Sequence, residues 1–251
     1  MDAYSIPAIA PLYGRLPYAY RDCPQLVVPF IAAPGTTRRL VPEPLEPNPD
    51  DLMFVMIGRM QSDEFGSNSE AFIAVPSRYG ETTGNFAVAL YLDDDAAIAS
   101  GREVWGWPKK AAEFRHRDDE GVVAAVAMRG GVEIIAAQLD IEGPGDAEAL
   151  DLDPTWFNLK LIPSIVPGAP PDVMQITSTR LEHVRVDDVR FGAATVSFGR
   201  TSADPLADLI VVARALPGAH FRFACDLTLG DVVYDYLAAS PAPVGTARGV
   251  L

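Results

Sequence analysis

Lysine is scarce in this sequence. Of its 20 cationic side chains only Lys109, Lys110 and Lys160 are lysines, and arginine supplies the rest, although lysine is ordinarily among the commonest residues. Positive charge is short overall: the formal net charge is −14. That excludes nucleic acid as a partner, because phosphate contacts need a basic surface, and argues against attraction to anionic membranes. Cysteine is limited to Cys23 and Cys225, which make neither a metal-ligand spacing nor a disulfide framework and read as small buried core residues. There is no basic segment followed by an apolar run at the N-terminus and no stretch of 18 apolar residues, so the expectation is a soluble, cytoplasmic protein. No glycine-rich phosphate loop appears. His116, His183 and His220 have no metal spacing and no paired nucleophile. No cofactor and no metal are expected.

Low-complexity linkers, repeats and long charge blocks are also missing. At 251 residues and 49% hydrophobic, the chain is expected to form one domain over residues 1–251. Residues 1–20, rich in proline and tyrosine, read as an irregular arm lying on the body or on a neighbouring subunit.

Against that background the stretch Gly101-Arg102-Glu103-Val104-Trp105-Gly106-Trp107-Pro108-Lys109-Lys110 stands out. Two of the three lysines are adjacent, directly after two tryptophans and a rigid proline. The ordinary state of a Lys-Lys pair is solvated, but these neighbours suit a pocket wall better than a loop tip. A neutral lysine attacks a carbonyl and becomes an electron sink. Free lysine titrates near 10.4, so a useful nucleophile needs that value lowered by about three to four pH units. A second ammonium ~7 Å away supplies only ~2.4 kcal/mol at an effective dielectric of about 20. Desolvation must supply much of the remainder. In an extended backbone the two lysines point to opposite faces, so only one enters a site.

Elsewhere the chain reads as strands joined by turns. Gln25–Ala32 is a strand with Pro29 at an edge or bulge, and Thr36–Leu40 is a short helical turn. Leu52–Met60, the run after Glu70 and Phe86–Leu92 are strands, with Gln61–Ser69 as a loop. Asp93-Asp94-Asp95 opens a helix reaching about Gly101. Val122–Met128 and Val132–Leu139 flank Arg129-Gly130-Gly131 as a hairpin, and residues 142–154 form a loop. Phe157–Ile162, Val173–Val184, Ala193–Phe198, Leu206–Leu209 and His220–Leu227 read as further strands, and Asp231–Leu237 as a last helix or strand. The expected class is mainly antiparallel β with a few helices; periodicity leaves barrel and sandwich open.

Gly-Arg-Glu-Val-Trp-Gly-Trp-Pro-Lys-Lys resembles the signature of the acetoacetate decarboxylase family. Val41-Pro42-Glu43-Pro44-Leu45 and Tyr234-Asp235-Tyr236 resemble two further stretches of it. The resemblance covers about Tyr20 to Leu237. It implies a closed, cone-like β-barrel, a homo-oligomer, a Schiff base on Lys109 and a charged neighbour at Lys110. It places Arg21 on an arginine suited to a substrate carboxylate, Glu70 on a carboxylate that moves protons at the enamine carbon, and Trp107 on the pocket wall. Val55 falls where decarboxylases of the family carry another glutamate, and a valine can neither transfer a proton nor hold a charge. The implied activity is a Schiff-base lyase acting on a short oxo acid, narrowly favoured as a pyruvate aldolase–dehydratase with an aldehyde as second substrate. Decarboxylation of an acetoacetate-type 3-oxo acid is the alternative. A non-catalytic small-molecule binding protein is the alternative of another class.

Overall fold

The computed structural model describes residues 4–119, 121–150 and 152–239. The first three residues of the expected arm lie outside them. Fifteen strands form one sheet among the described residues. They are β1 (Tyr18–Ala32), β2 (Glu46–Pro47), β3 (Leu52–Ser62), β4 (Gly66–Tyr79), β5 (Thr82–Leu92), β6 (Lys109–Ala111), β7 (Glu113–Asp119) and β8 (Val122–Arg129). Then come β9 (Val132–Pro144), β10 (Thr155–Ile162), β11 (Val173–Arg180), β12 (Glu182–Phe198), β13 (Val212–Ala215), β14 (Gly218–Leu227) and β15 (Asp231–Asp235). The principal helices are α1 (Thr36–Leu40) and α2 (Asp95–Ser100), the latter followed by a π-helical turn over Gly101–Trp105.

The main path runs β15-β11-β10-β5-β4-β3-β1-β14-β12-β9-β8-β7. Nearly all pairings are antiparallel; β5 is the exception, pairing in parallel with β6 and with β10. The expected class holds, but the expected closed barrel does not. The path ends at β15 on one side and β7 on the other, and these two strands do not pair. The sequence of β7, Glu-Phe-Arg-His-Arg-Asp-Asp, is nearly all charged and mostly exposed. A charged edge resists pairing with another strand, so that end stays open.

Several segments differ from the expectation. The stretch Gln61–Ser69 is largely strand, because β3 and β4 form one long hairpin paired out to Ser62 and Gly66. Leu206–Leu209 is a helical turn rather than a strand. Asp231–Leu237 divides into β15 and a helical turn beginning at Tyr236. Pro29 falls where the ladder from β1 passes from β14 to β13, so its missing N–H interrupts neither. The Tyr236 hydroxyl donates to the Glu43 carbonyl, which joins the two outlying stretches that carried the family resemblance.

Two apolar clusters cover the two faces of the sheet. Strand alternation sorts residues between them. Met53, Val55 and Ile57 of β3 join Ile73 and Val75 of β4 in the first cluster. Met56 and Met60 join Phe72, Trp105, Trp107 and Trp156 in the second.

Candidate active site

The lysine strand is reached through an irregular corner. Asp94 caps α2, its side chain accepting from the Ala97 N–H at 2.7 Å, as the triple aspartate predicts. The helix then widens into the π-helical turn and stops at Gly106, whose φ of 83° is left-handed. A Cβ on Gly106 would also lie 2.5 Å from the Lys160 Cα, so both the turn and the close packing require glycine. The corner is pinned by Lys160 Nζ donating to the Val104 carbonyl at 2.9 Å and Thr177 Oγ1 donating to the Trp105 carbonyl at 2.6 Å. π-Helical turns are frequent at functional sites.

After the corner β6 lies parallel to β5, with Lys109 opposite Leu90 and Lys110 opposite Tyr91. The two lysines therefore face opposite ways. Lys109 is only 7% exposed. Its side chain passes over Gly101, where a Cβ would lie 2.5 Å from Cδ and 2.7 Å from Cε. Its Nζ lies 3.2 Å from Glu70 Oε1. Glu70, on β4 between Gly58 of β3 and Leu92 of β5, is 4% exposed, and that oxygen accepts no hydrogen bond from the described residues.

Lys109 and Glu70 sit in the wall of a cavity of about 80 Å³. Phe54, Phe72, Trp107 and Trp156 line it as a connected set of rings, with neighbouring centroids 5.3 to 6.2 Å apart. Trp107 Nε1 is buried and has no hydrogen-bond partner among the described residues. Among the described lining residues Lys109 is the sole cation. Two groups that also line it, Tyr20 and Cys225, are held neutral. Burial and then the nearby Glu70 charge raise the Tyr20 hydroxyl well above its usual value. Burial, with Cys23 and Asp226 adding to it, pushes the Cys225 thiol up to about 12.

The other expected site residues lie elsewhere. Lys110 donates to Asp204 Oδ1 at 2.7 Å. The same buried carboxylate accepts from Tyr91 Oη at 2.8 Å and from Arg129 Nε at 2.5 Å. Arg21 sits in a bulge of β1 where the register with β14 shifts between Tyr20 and Cys23 and Asp22 takes a φ of 53°. The bulge turns the guanidinium outward, half exposed. It donates to the Tyr20 and Cys225 carbonyls, each at 2.8 Å, and pairs with Asp226 at 2.5 Å. Arg21 does not line the cavity, although Tyr20 beside it does.

Val55, expected at the site, does not line the cavity. It pairs with Ile73 and is fully buried in the first apolar cluster, facing away from Glu70. The cavity-facing residues of β3 are Phe54 and Met56. Because side chains alternate along paired strands, Val55 and Glu70 fall on opposite faces. Phe54 and Met56 are also apolar, so β3 contributes no carboxylate to this cavity.

The sequence reading missed Phe54, Met56, Phe72 and Gly101. The first three share strand parity with Glu70 once β3 and β4 are recognised as one hairpin. Trp156 and Asp204 carried no local signal, since each arrives from a distant strand or loop. The three histidines do not line the cavity. No group of three or more His, Cys, Asp or Glu side chains among the described residues is arranged to hold a metal ion, and no helix among them is long and apolar enough to cross a membrane.

A β-rich protein with a lysine and a glutamate buried together in an aromatic cavity is what fold and site define. The family model for acetoacetate decarboxylase (ADC) matches residues 5–237, and the chain belongs to that family. It is 29% identical over 243 residues to an acetoacetate decarboxylase of Burkholderia ambifaria, covering 94% of this chain and 96% of that one. The crystal structure of acetoacetate decarboxylase from Legionella pneumophila superposes with a TM-score of 0.85 at 28% identity, over 94% of this chain and 95% of that one. The enduracididine biosynthesis enzyme MppR, solved with the condensation product of pyruvate and imidazole 4-carboxaldehyde, shares the fold with a TM-score of 0.80 at 14% identity, over 93% of this chain and 97% of that one.

Proposed function

We propose that this protein is a lyase that forms an imine between Lys109 and a ketone carbonyl, and that its reaction is decarboxylation of a 3-oxo acid. The observation that carries the reading is the Lys109–Glu70 pair, 3.2 Å apart inside an apolar cavity. Neutral Lys109 adds to the carbonyl and, with one proton taken up from solvent, water leaves to give a protonated imine. The bond to the carboxylate carbon then breaks, CO₂ departs, and the electron pair moves toward the imine nitrogen to give an enamine. Glu70 relays a proton from solvent to the enamine carbon. Water hydrolyses the resulting imine, releasing a ketone and restoring the amine. The unpartnered Trp107 N–H is available to a substrate oxygen, which would relieve its burial without a partner.

The preference for decarboxylation rests on charge. In aldol chemistry with pyruvate the substrate keeps its carboxylate, which needs a persistent cationic partner. Arg21 was the candidate, and its guanidinium is turned out of the cavity and paired with Asp226. An apolar wall instead favours loss of the carboxylate as neutral CO₂. Val55 faces the other side of the sheet and does not bear on the choice between the two reactions. The relatives near 29% identity are named as decarboxylases, whereas MppR at 14% supports the fold alone.

The test is trapping. The protein is incubated with acetoacetate or with pyruvate and reduced with borohydride, the adduct is located by peptide mass, and CO₂ release is assayed in parallel. The expected result is an adduct on Lys109 with CO₂ from acetoacetate. An adduct from pyruvate accompanied by condensation with an aldehyde, and no CO₂ from any 3-oxo acid, would move the assignment to the aldolase. No adduct together with no neutral-pH reactivity at Lys109 would leave a binding protein.

A further inference from the structure

A second, much larger cleft of about 650 Å³ adjoins the lysine cavity. The two share Phe54, Asn85, Leu152 and Asp153, which form the partition between them. Nothing in the imine chemistry uses this cleft. Five prolines, Pro29, Pro47, Pro49, Pro76 and Pro217, stiffen its wall. Of its charged side chains Glu46, Arg78 and Asp153, the first two are paired with each other, so its arginine is already committed. The polar side chains of the partition are committed as well. Asn85 Nδ2 donates to the Asp153 carbonyl at 3.0 Å. The Asp153 carboxylate accepts from Thr83 Oγ1 at 2.7 Å and from the Thr155 N–H at 2.8 Å. The partition is thus fixed by internal hydrogen bonds, while Phe54 lines both sides.

We propose that this cleft holds the tail of the substrate, and that the substrate is a 3-oxo acid whose distal carbon carries an uncharged apolar or aromatic group far larger than the methyl of acetoacetate. This rests on the Lys109 imine reading and adds the substrate class to it. The small cavity takes the reacting carbonyl and the departing carboxylate beside Lys109. The tail crosses between Phe54 and Leu152 and lies along the proline-lined wall. The aromatic rings around the passage suit a flat group presented edge to face. A tail bearing its own carboxylate is disfavoured, because neither chamber offers it an uncommitted cation.

The experiment compares two substrates on the full chain: acetoacetate, and a 3-oxo acid of the same head group ending in a phenylethyl tail. The readouts are kcat/KM for CO₂ release, corrected for spontaneous loss, and the yield of borohydride adduct on Lys109. Each buried methylene is worth roughly fourfold in binding, so the tailed acid should exceed acetoacetate in kcat/KM by at least about tenfold. Leu150→Trp, which fills the cleft from a position that does not line the lysine cavity, should bring the ratio of the two substrates toward one. Equal or better turnover of acetoacetate by the wild-type protein, with Lys109 adducts from both acids, would overturn the tail site and leave the imine mechanism standing. Absence of a Lys109 adduct from either acid would overturn the imine mechanism and this proposal with it.

Discussion

Two lysines adjacent in sequence meet opposite surroundings, and the difference shows how one short strand serves two purposes. Lys109 is turned into an aromatic cavity, with Glu70 Oε1 at 3.2 Å, an oxygen that accepts no hydrogen bond from the described residues. Lys110 is 41% exposed at its side chain and is bound to Asp204, a fully buried carboxylate also held by Arg129 and Tyr91. The first pair is loosely satisfied and free to react. The second is saturated and acts as a clamp between β6 and the segment around Asp204. Asp204 at 2.7 Å offsets part of the Lys110 charge, although it shares its own charge with Arg129. On this view the dry cavity, rather than the neighbouring ammonium, is what makes Lys109 special.

The largest expected effect is at Lys109 itself. Lys109→Met should abolish the borohydride adduct and lower turnover at least a thousandfold, about 4 kcal/mol at 1.36 per tenfold, with little change in denaturant midpoint. Turnover surviving that change would remove the distinction between the two lysines.

Asp204→Asn comes next and should act on stability. It leaves Lys110 and Arg129 without their carboxylate and should cost about 3 kcal/mol, toward the low end for breaking a buried pair because both cations are partly in water. Urea unfolding measures it. Burial works to raise the Asp204 carboxyl. Hydrogen bonds from Lys110 and Tyr91 and the charges of Lys110 and Arg129 outweigh it and hold the group below its ordinary value. A folded value below the unfolded one, about 3.9, means the contribution is fully present above about pH 4 and is lost as pH falls through the folded value. The stability gap between wild type and Asp204→Asn should therefore narrow on acidification below pH 4; a gap that stays constant there would break the assignment.

Gly101→Ala sharpens the comparison from the cavity side. The added Cβ would lie 2.5 Å from the Lys109 Cδ, so the side chain must shift. Misplacement of a reacting group by an ångström costs about a hundredfold, and kcat should fall by that order while KM moves little.

The smallest effect is expected at Lys110→Met: less than tenfold in kcat/KM and about 1 kcal/mol in stability, the scale of a partly exposed ion pair. A larger activity loss with the pH optimum moved upward would show that Lys110 works on Lys109 through its charge after all.

Much of this was legible in the sequence for local reasons. The triple aspartate marks a helix start that the Asp94 cap realises. Strand alternation at Lys109-Lys110 requires the two to part, and they do. The hairpin around Gly130-Gly131 appears where turn chemistry puts it. Legibility failed where a side chain's place depends on pairing. Val55 was expected at the site, but the register of β3 with β4 puts it on the other face from Glu70. Arg21 was expected to meet substrate, yet a bulge in β1, formed against β14 some two hundred residues onward, turns it outward.

The residues alone settled the scarcity of lysine, the acidic surface, the predominance of strands and the pairing of Lys-Lys with Trp-Gly-Trp-Pro, since composition and short-range spacing are properties of the chain. Three things were left to the assembled molecule. The sheet ends on a charged edge instead of closing. Glu70 is the carboxylate beside Lys109. Asp204 pairs with both Lys110 and Arg129. Each joins strands or loops distant in sequence. Such contacts depend on register, bulges and the filling of space, which no local pattern encodes.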